Sequence, residues 1–444
     1  MEMKLIKENC TGMIFKFSIS SVIAMILMAL ITIVDGFFMG NYVGEEGIAA
    51  VNLGLPIIYL YLGAGLMVSI GGAAISGMAL GAGECGSCNQ VFRQTVLTAA
   101  LLSAGISLAM VFCFEPMLSI LHAEGRVRIY FQEYYQIMLL ELPVMVLNSS
   151  FGMFIRGDGN PGYYMKTSVV NTSLNVLLDY LFAGLLGKGA AGIAYASLLS
   201  ALVSLACILY YFMFRSENYH LGRFQFSGKV CVKSLLNGSS EFIGEISTGI
   251  TMFAYNFVIM REIGTDGVTA FTIAGYVVYA YSMIVTGFGQ GACPLISFCY
   301  GAEEKSLAAD IRKKTSWYVF LTGVLAFLGM AAGTDGYRVL FVKSEHVRDM
   351  IQDGMLIFLT SFFFMGINAI TSFYFTAAGK AFESAVISCS RGLVVLLICI
   401  FTLPYLFGMT GVWMAAPVTE GVTFVLTVIF LYREQVTFHG SGMR

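Results

Sequence analysis

Charged side chains are scarce in this 444-residue chain, making up 12% of it against about 25% in a soluble globular domain. That shortage excludes a water-exposed surface over most of the protein. The 25 basic residues stand against 27 acidic ones and are thinly spread, so there is no clustered positive surface of the kind that follows a nucleic-acid backbone. Ten cysteines are too few for a disulfide scaffold. Most of them (Cys113, Cys207, Cys293, Cys299, Cys389 and Cys399) lie in or beside apolar runs. Cys85 and Cys88 form a CxxC on a polar turn, and without a partner cluster the pair reads as coincidence rather than zinc or redox chemistry. No GxxxxGK[ST] motif occurs, which excludes an ATP-driven pump built from this chain alone. The four histidines fall in loops or the tail, leaving no hydrolytic dyad or metal cluster for an intramembrane enzyme. We expect no catalytic residues and no cofactor.

What the chain has in abundance is apolar sequence, at 57%. Stretches of about 20 residues, the length that spans a bilayer as a helix, fall near 13–37, 48–76, 92–114, 131–155, 162–184, 191–214, 236–260, 268–298, 315–334, 349–375, 386–406 and 411–432. The expected fold class is an all-α polytopic membrane protein with twelve transmembrane helices. The first span has no small-residue processing site and carries Asp35 near its end, so it is expected to stay in the mature protein. With the amino terminus in the cytoplasm, 18 of the 25 basic residues fall on the inner side. The positive-inside rule therefore favours an even span count with both termini cytoplasmic.

The sequence also repeats. Gly44, Gly47 and Ala50 align with Gly264, Gly267 and Ala270, and the same offset of 220 carries Gly81-Ala82-Gly83-Glu84 onto Gly301-Ala302-Glu303-Glu304. Tyr59 pairs with Tyr279, Tyr61 with Tyr281, and Gly71 with Gly291. Because the copies follow the first and seventh spans, the repeat is six plus six and parallel, about an axis along the membrane normal. Residues 215–235 carry Arg215, Arg223, Lys229 and Lys233 and form the longest polar link. The expected organisation is an amino-terminal lobe over 1–214, a cytoplasmic linker over 215–235 and a carboxy-terminal lobe over 236–444.

Ionisable side chains at membrane depth are expensive, and each is a site hypothesis. Asp35 lies near the end of the first span. Asn171, Asn175 and Asp179 recur every four residues in the fifth span and so line one helix face. Asn148 in the fourth span and Ser197 in the sixth are placed to turn toward the same interior. Two carboxylates with neutral oxygens suit a dehydrated sodium ion, at Asp35, Asn175 and Asp179, or a proton shared between like charges. They also suit a cationic guest. The alternative reading is that the neutral residues only glue helices together while Asp35 faces water. In the second half, Glu241 and Glu245 share a face of the seventh span and Glu420 lies in the twelfth after Pro417. Glu245 is the deepest and the preferred second-lobe acid. Arg156-Gly-Asp158-Gly-Asn160-Pro161 has the composition of a sharp turn.

These segments together carry a resemblance. VDGFFMG with Asp35, RGDGNP after Asn148, NxxLNVLLDY, the glycine-alanine pattern at 189–194 with Ser197, and GMTGVWMAAPVTE ending at Glu420 resemble the multidrug and toxic compound extrusion (MATE) transporters, in a style similar to the bacterial MepA-like branch. The resemblance covers essentially the whole chain. It implies a V-shaped pair of six-helix bundles, generally monomeric, that exchange sodium ions or protons for organic, mainly cationic, amphiphilic compounds across a bacterial plasma membrane. It also implies a cation or proton site on Asp35, Asn148, Asn175, Asp179 and Ser197, and a span-seven glutamate at Glu245. The tenth span has no aspartate, which shifts the expected ion site toward Asp35 and Asp179. The alternative is a related or flippase-type exporter of an endogenous lipid-linked or peptide substrate.

Overall fold

The computed structural model describes residues 3–120, 123–341 and 344–441, so His122 and Arg444 lie outside the described residues. Each described element is helical. The first half comprises α1 (Met3–Glu8), α2 (Cys10–Tyr42), α3 (Glu45–Leu53), α4 (Leu55–Gly81), α5 (Cys85–Ile120), α6 (Gly125–Gly157), α7 (Pro161–Asp179), a π-helical segment (Tyr180–Leu185) and α8 (Gly189–Phe214). The second comprises α9 (Gly228–Asn237), α10 (Ser239–Glu262), α11 (Thr265–Gly301), α12 (Lys305–Phe341), α13 (Glu345–Leu359), α14 (Phe362–Ala377) and α15 (Ala381–Cys389). A second π-helical segment (Ser390–Val394), α16 (Val395–Phe407) and α17 (Met409–Ser441) complete it.

Among the described residues, eleven helices are long and apolar enough to cross a bilayer, and α13 with α14 makes a twelfth, bent by 43°. The expected spans are present but extend well past their apolar runs. Two histidines expected in loops or the tail are instead helical, His346 in the first turn of α13 and His439 near the end of α17. Arg391, one of the 18 basic residues expected on the inner side, lies inside the eleventh span, in its π-helical segment.

The duplication extends to the helix boundaries. Helices begin at 45 and 265, 85 and 305, 125 and 345, 161 and 381, and 189 and 409, each pair 220 apart. The turns match as well. Gly44 and Gly264 have φ of 97° and 100°, and Gly159 and Gly379 have 91° and 73°. Gly83 at 78° is matched by Glu303 at 60°, a left-handed position that glycine fills without a Cβ penalty. The halves differ in where a span breaks. In the first, Gly54 separates α3 from α4, and Tyr135 donates to the freed Val51 carbonyl at 2.8 Å, satisfying a backbone group that lipid cannot. In the second, α11 runs unbroken and the break moves to Thr360 and Ser361.

The halves meet at the end that carries both termini. One apolar cluster runs through both of them there, joining Ile70, Ala74 and Phe154 to Leu295, Phe298 and Ile387, whereas toward the opposite end each half has its own core. Small residues make the seal. A Cβ on Gly81 would sit 2.0 Å from the Phe298 carbonyl oxygen, and one on Gly301 would sit 1.9 Å from that of Met78. Close backbone approach of this kind is how membrane helices pack without a hydrophobic driving force. Asn237 of α9 spans the seam, donating to the Thr376 carbonyl of its own half at 2.9 Å and reaching the Gly71 carbonyl of α4 at 3.5 Å, and Lys7 pairs with Glu304 at 2.5 Å. Toward the opposite end the buried clusters no longer join the halves.

The RGDGNP turn has a structural use beyond reversal. Asp158 accepts hydrogen bonds from Tyr211, Ser216, Glu217 and Asn218, anchoring the start of the linker. Arg93 then clamps the linker onto α5 through the carbonyls of His220 and Arg223.

Candidate acidic chamber in the first half

The expected face of the fifth span forms as its spacing dictates. Asn175 and Asp179 are both fully buried on α7, and Thr172 ties that helix to the Leu27 carbonyl of α2. Across from them α2 delivers Asp35, which is partly buried. Asn175 Nδ2 donates to Asp35 Oδ1 at 3.3 Å, and Ser197 Oγ of α8 donates to Asp35 Oδ2 at 3.1 Å. Asn175 also donates to Ser197 Oγ at 3.2 Å. The helical repeat immediately after Asp179 is wider than α, in the π-helical segment Tyr180–Leu185; such segments recur at functional sites.

Asp179 is the unsatisfied member. Neither of its oxygens has an amide, hydroxyl or basic donor. Its carboxyl abuts that of Asp35 within hydrogen-bonding reach. Two ionised carboxylates carry no donor, so whatever bridges them, a proton, another cation or a water molecule, must come from outside the pair. The Oδ1 atoms of Asn171 and Asn175 are also buried without a donor, which adds neutral ligands to the same face.

Two residues of this chamber escaped sequence reasoning. Glu141 on α6 is 7% exposed, lies in electrostatic reach of Asp35 and has no donor on Oε2. Tyr134, two turns earlier on α6, is buried among Asp35, Glu141 and Asp179. The signal for Glu141 was available, since Glu141-Leu-Pro143 places an acid in the middle of an apolar run. Asn148 makes no direct hydrogen bond to Asp35, Asn175 or Ser197, and its Oδ1 is buried without a donor. Its Nδ2 donates to the Ala201 carbonyl at 3.0 Å and ties α6 to α8. Among the described residues, no ion pair reaches Asp35, Glu141 or Asp179.

The second-half acids are not equivalent. Glu420 is held rather than free: Arg391 donates to its Oε1 from Nε at 3.1 Å and Nη2 at 2.7 Å, and Asn368 donates to Oε2 at 2.7 Å. Thr427 in turn donates to Asn368 Oδ1 at 2.9 Å. Glu245 sits apart from that pair, on the side of α10 that packs against Gly63 of α4. It has Tyr59 and Tyr279 as electrostatic neighbours, one from each half. Glu241 lies one turn before it, beside Ser240. Among the described residues no group of three or more His, Cys, Asp or Glu is arranged as a metal cluster.

Comparison with known proteins agrees with this architecture. The MatE family profile matches residues 20–181 and 242–401, one match in each half. The multidrug export protein MepA of Staphylococcus saprophyticus is 22% identical over 427 residues, covering 95% of this chain and 94% of its own. A crystal structure of MATE in the bent conformation superposes with a TM-score of 0.92 at 20% identity, over 99% of both chains. The outward-facing conformation of a multidrug resistance MATE family transporter of the MOP superfamily gives 0.89 at 21% identity, over 96% of this chain and 95% of the other. The fold is therefore the V-shaped pair of pseudo-symmetric helical bundles.

Proposed function

The chain belongs to the MatE family, and on that premise we propose that it is a multidrug antiporter exporting amphiphilic organic cations in exchange for sodium ions or protons. Its type, a secondary transporter and not an enzyme, follows from the family. The substrate and the coupling ion are our reading, as is a place in the MepA-like branch. The observation that carries it is the pairing of Asp35 with Asp179, set among Asn175, Ser197 and Glu141 with no basic counter-charge among the described residues. Buried acids without a cationic side chain are costly, so this chamber draws its positive charge from solution. A coupling ion supplies it.

The guest binds between the halves, which we take as lobes 1–214 and 236–444 joined by the linker 215–235. Glu245 offers it a carboxylate, and Tyr59 and Tyr279 offer aromatic faces suited to an organic cation. With both termini in the cytoplasm of a bacterial plasma membrane, as the basic residues favour, the sealed end is the inward one. Ion entry from outside at Asp35 and Asp179 stabilises one conformation over the other, and the guest is released because it and the ion prefer different states. Only differential binding is required, with no covalent step. Asn148 and Glu420 act by holding helices, the latter through Arg391. The unit works as a monomer.

The test is efflux of a fluorescent organic cation from proteoliposomes, with sodium and proton gradients imposed separately and the Asp179→Asn variant in parallel. Transport driven by one of the gradients and lost in a folded variant is the expected result. Undiminished coupled efflux in Asp179→Asn would sink the assignment.

A further inference from the structure

The short helix α9, which ends the linker, has two unlike faces. Ser234 and Asn237 are buried against the helices behind it, while Lys229, Val232, Lys233 and Leu236 recur at helical spacing on the exposed side. Among the described residues neither lysine enters an ion pair or a side-chain hydrogen bond, although both stand on the same turn-to-turn stripe. Val232 and Leu236 are 56% and 59% exposed, so apolar surface and uncompensated positive charge share one face. That combination marks a helix lying in the headgroup region of a bilayer.

The face does not stand alone. It forms one wall of a cavity of about 560 Å³ whose other wall is Gly379 and Ala381, at the turn that leads into α15. This volume lies within the roughly 300–1,000 Å³ of small-molecule sites. Gly379 has φ of 73°, and a Cβ there would meet the Met78 side chain at 3.1 Å. Phe382, the next residue of α15, is 72% exposed and continues the apolar surface. We infer that this cavity binds the headgroup of an anionic phospholipid, its phosphate between Lys229 and Lys233 and its acyl chains along Val232 and Leu236. The commitment to a lipid rests on charge complementarity joined to exposed apolar side chains, which a free phosphate does not use.

The position gives such a lipid a consequence. Behind the cavity, Asn237 of α9 donates to the Thr376 carbonyl of α14 and approaches the Gly71 carbonyl of α4 at 3.5 Å. An occupant lying across α9 and the Gly379 turn therefore bears on the seam that closes this end of the molecule, and it favours the closed seam.

The experiment is native mass spectrometry of the full chain released from nanodiscs of phosphatidylglycerol or phosphatidylcholine, for wild type, K229Q/K233Q and K229R/K233R. Wild type should retain phosphatidylglycerol and shed phosphatidylcholine. Each lost lysine should weaken retention about 5-fold, roughly 25-fold for both, and the arginine pair should restore it. Glycerol phosphate added in solution should not displace the lipid. Equal retention of the two lipids, undiminished retention in K229Q/K233Q, or displacement by glycerol phosphate would each overturn the proposal.

Discussion

Set 220 residues apart, Asp35, Glu141 and Asp179 of the first half correspond to Tyr255, Ser361 and Cys399 of the second, while Asn171 and Ser200 correspond to Arg391 and Glu420. The first half thus keeps three acids without a base, and the second replaces them with neutral groups and adds an ion pair at two positions the first leaves uncharged. Asn148 and Asn368 are the members that match, and both donate from Nδ2 to a carbonyl of the last span in their own half, Ala201 and Glu420. Duplication kept the hydrogen bonds that hold helices together. The charge moved. At these positions the second half's charges neutralise one another and need no ion from solution, whereas the first half's acids do; Glu241 and Glu245 are a separate pair of acids, added where the first half has Ser21 and Met25.

Breaking the second half's neutrality should have the largest effect. Arg391→Ala leaves Glu420 buried without its cation, and truncating one partner of a buried pair costs about 3–5 kcal/mol. We expect a large fall in thermal stability in detergent, partly recovered by Arg391→Ala with Glu420→Ala. A variant as stable as wild type but uncoupled would give the second half an ion role and erase the contrast.

The seal, unlike the chambers, is symmetric, and it should respond symmetrically. Gly81→Ala and Gly301→Ala each push a Cβ to within 2.0 Å and 1.9 Å of a carbonyl oxygen across the seam. Overpacking of this kind costs about 1–3 kcal/mol. Spin labels on Lys166 and Lys313, exposed residues of α7 and α12, should report similar widening of the terminus-bearing end in both variants. A widening confined to one of them would show that the seal is not shared equally.

Within the first half the expected effects grade downward. Glu141→Gln keeps the shape and removes one of three acids, and should weaken apparent affinity for the coupling ion about 10-fold, equivalent to about 1.4 kcal/mol. The ion dependence of efflux measures it, and an unchanged affinity would place Glu141 outside the chamber's electrostatics. Ser197→Ala removes one hydroxyl donor from Asp35 and should cost roughly 1 kcal/mol, a few-fold in the same assay. A loss as large as that of Asp179→Asn would mean that Ser197 is itself an essential ion ligand.

Much of the chamber was legible in the sequence because its signal is local. Asn175 and Asp179 are one helical turn apart, and the structure brings both against Asp35, with Ser197 bonded to Asn175 and Asp35. Asn148 was equally visible as a polar residue in a span, but helix rotation aims its amide at the Ala201 carbonyl rather than at Asp35. Glu141 was passed over although its position in an apolar run was plain. Arg391 was assigned to the cytoplasm because a basic residue near a helix end reads that way, and only its pairing with Glu420 keeps it inside.

By itself the sequence determined that the chain crosses a membrane, roughly how many times, and that one half copies the other. Those features rest on hydropathy and spacing, which are properties of successive residues along the chain. Which acids are neutralised, which are left open and at which end the halves close were decided only by the tertiary structure. Pairing depends on how each helix is rotated and how closely its neighbours approach. At Gly81 and Gly301 that approach is set by backbone meeting backbone across the seam, between residues more than two hundred positions apart.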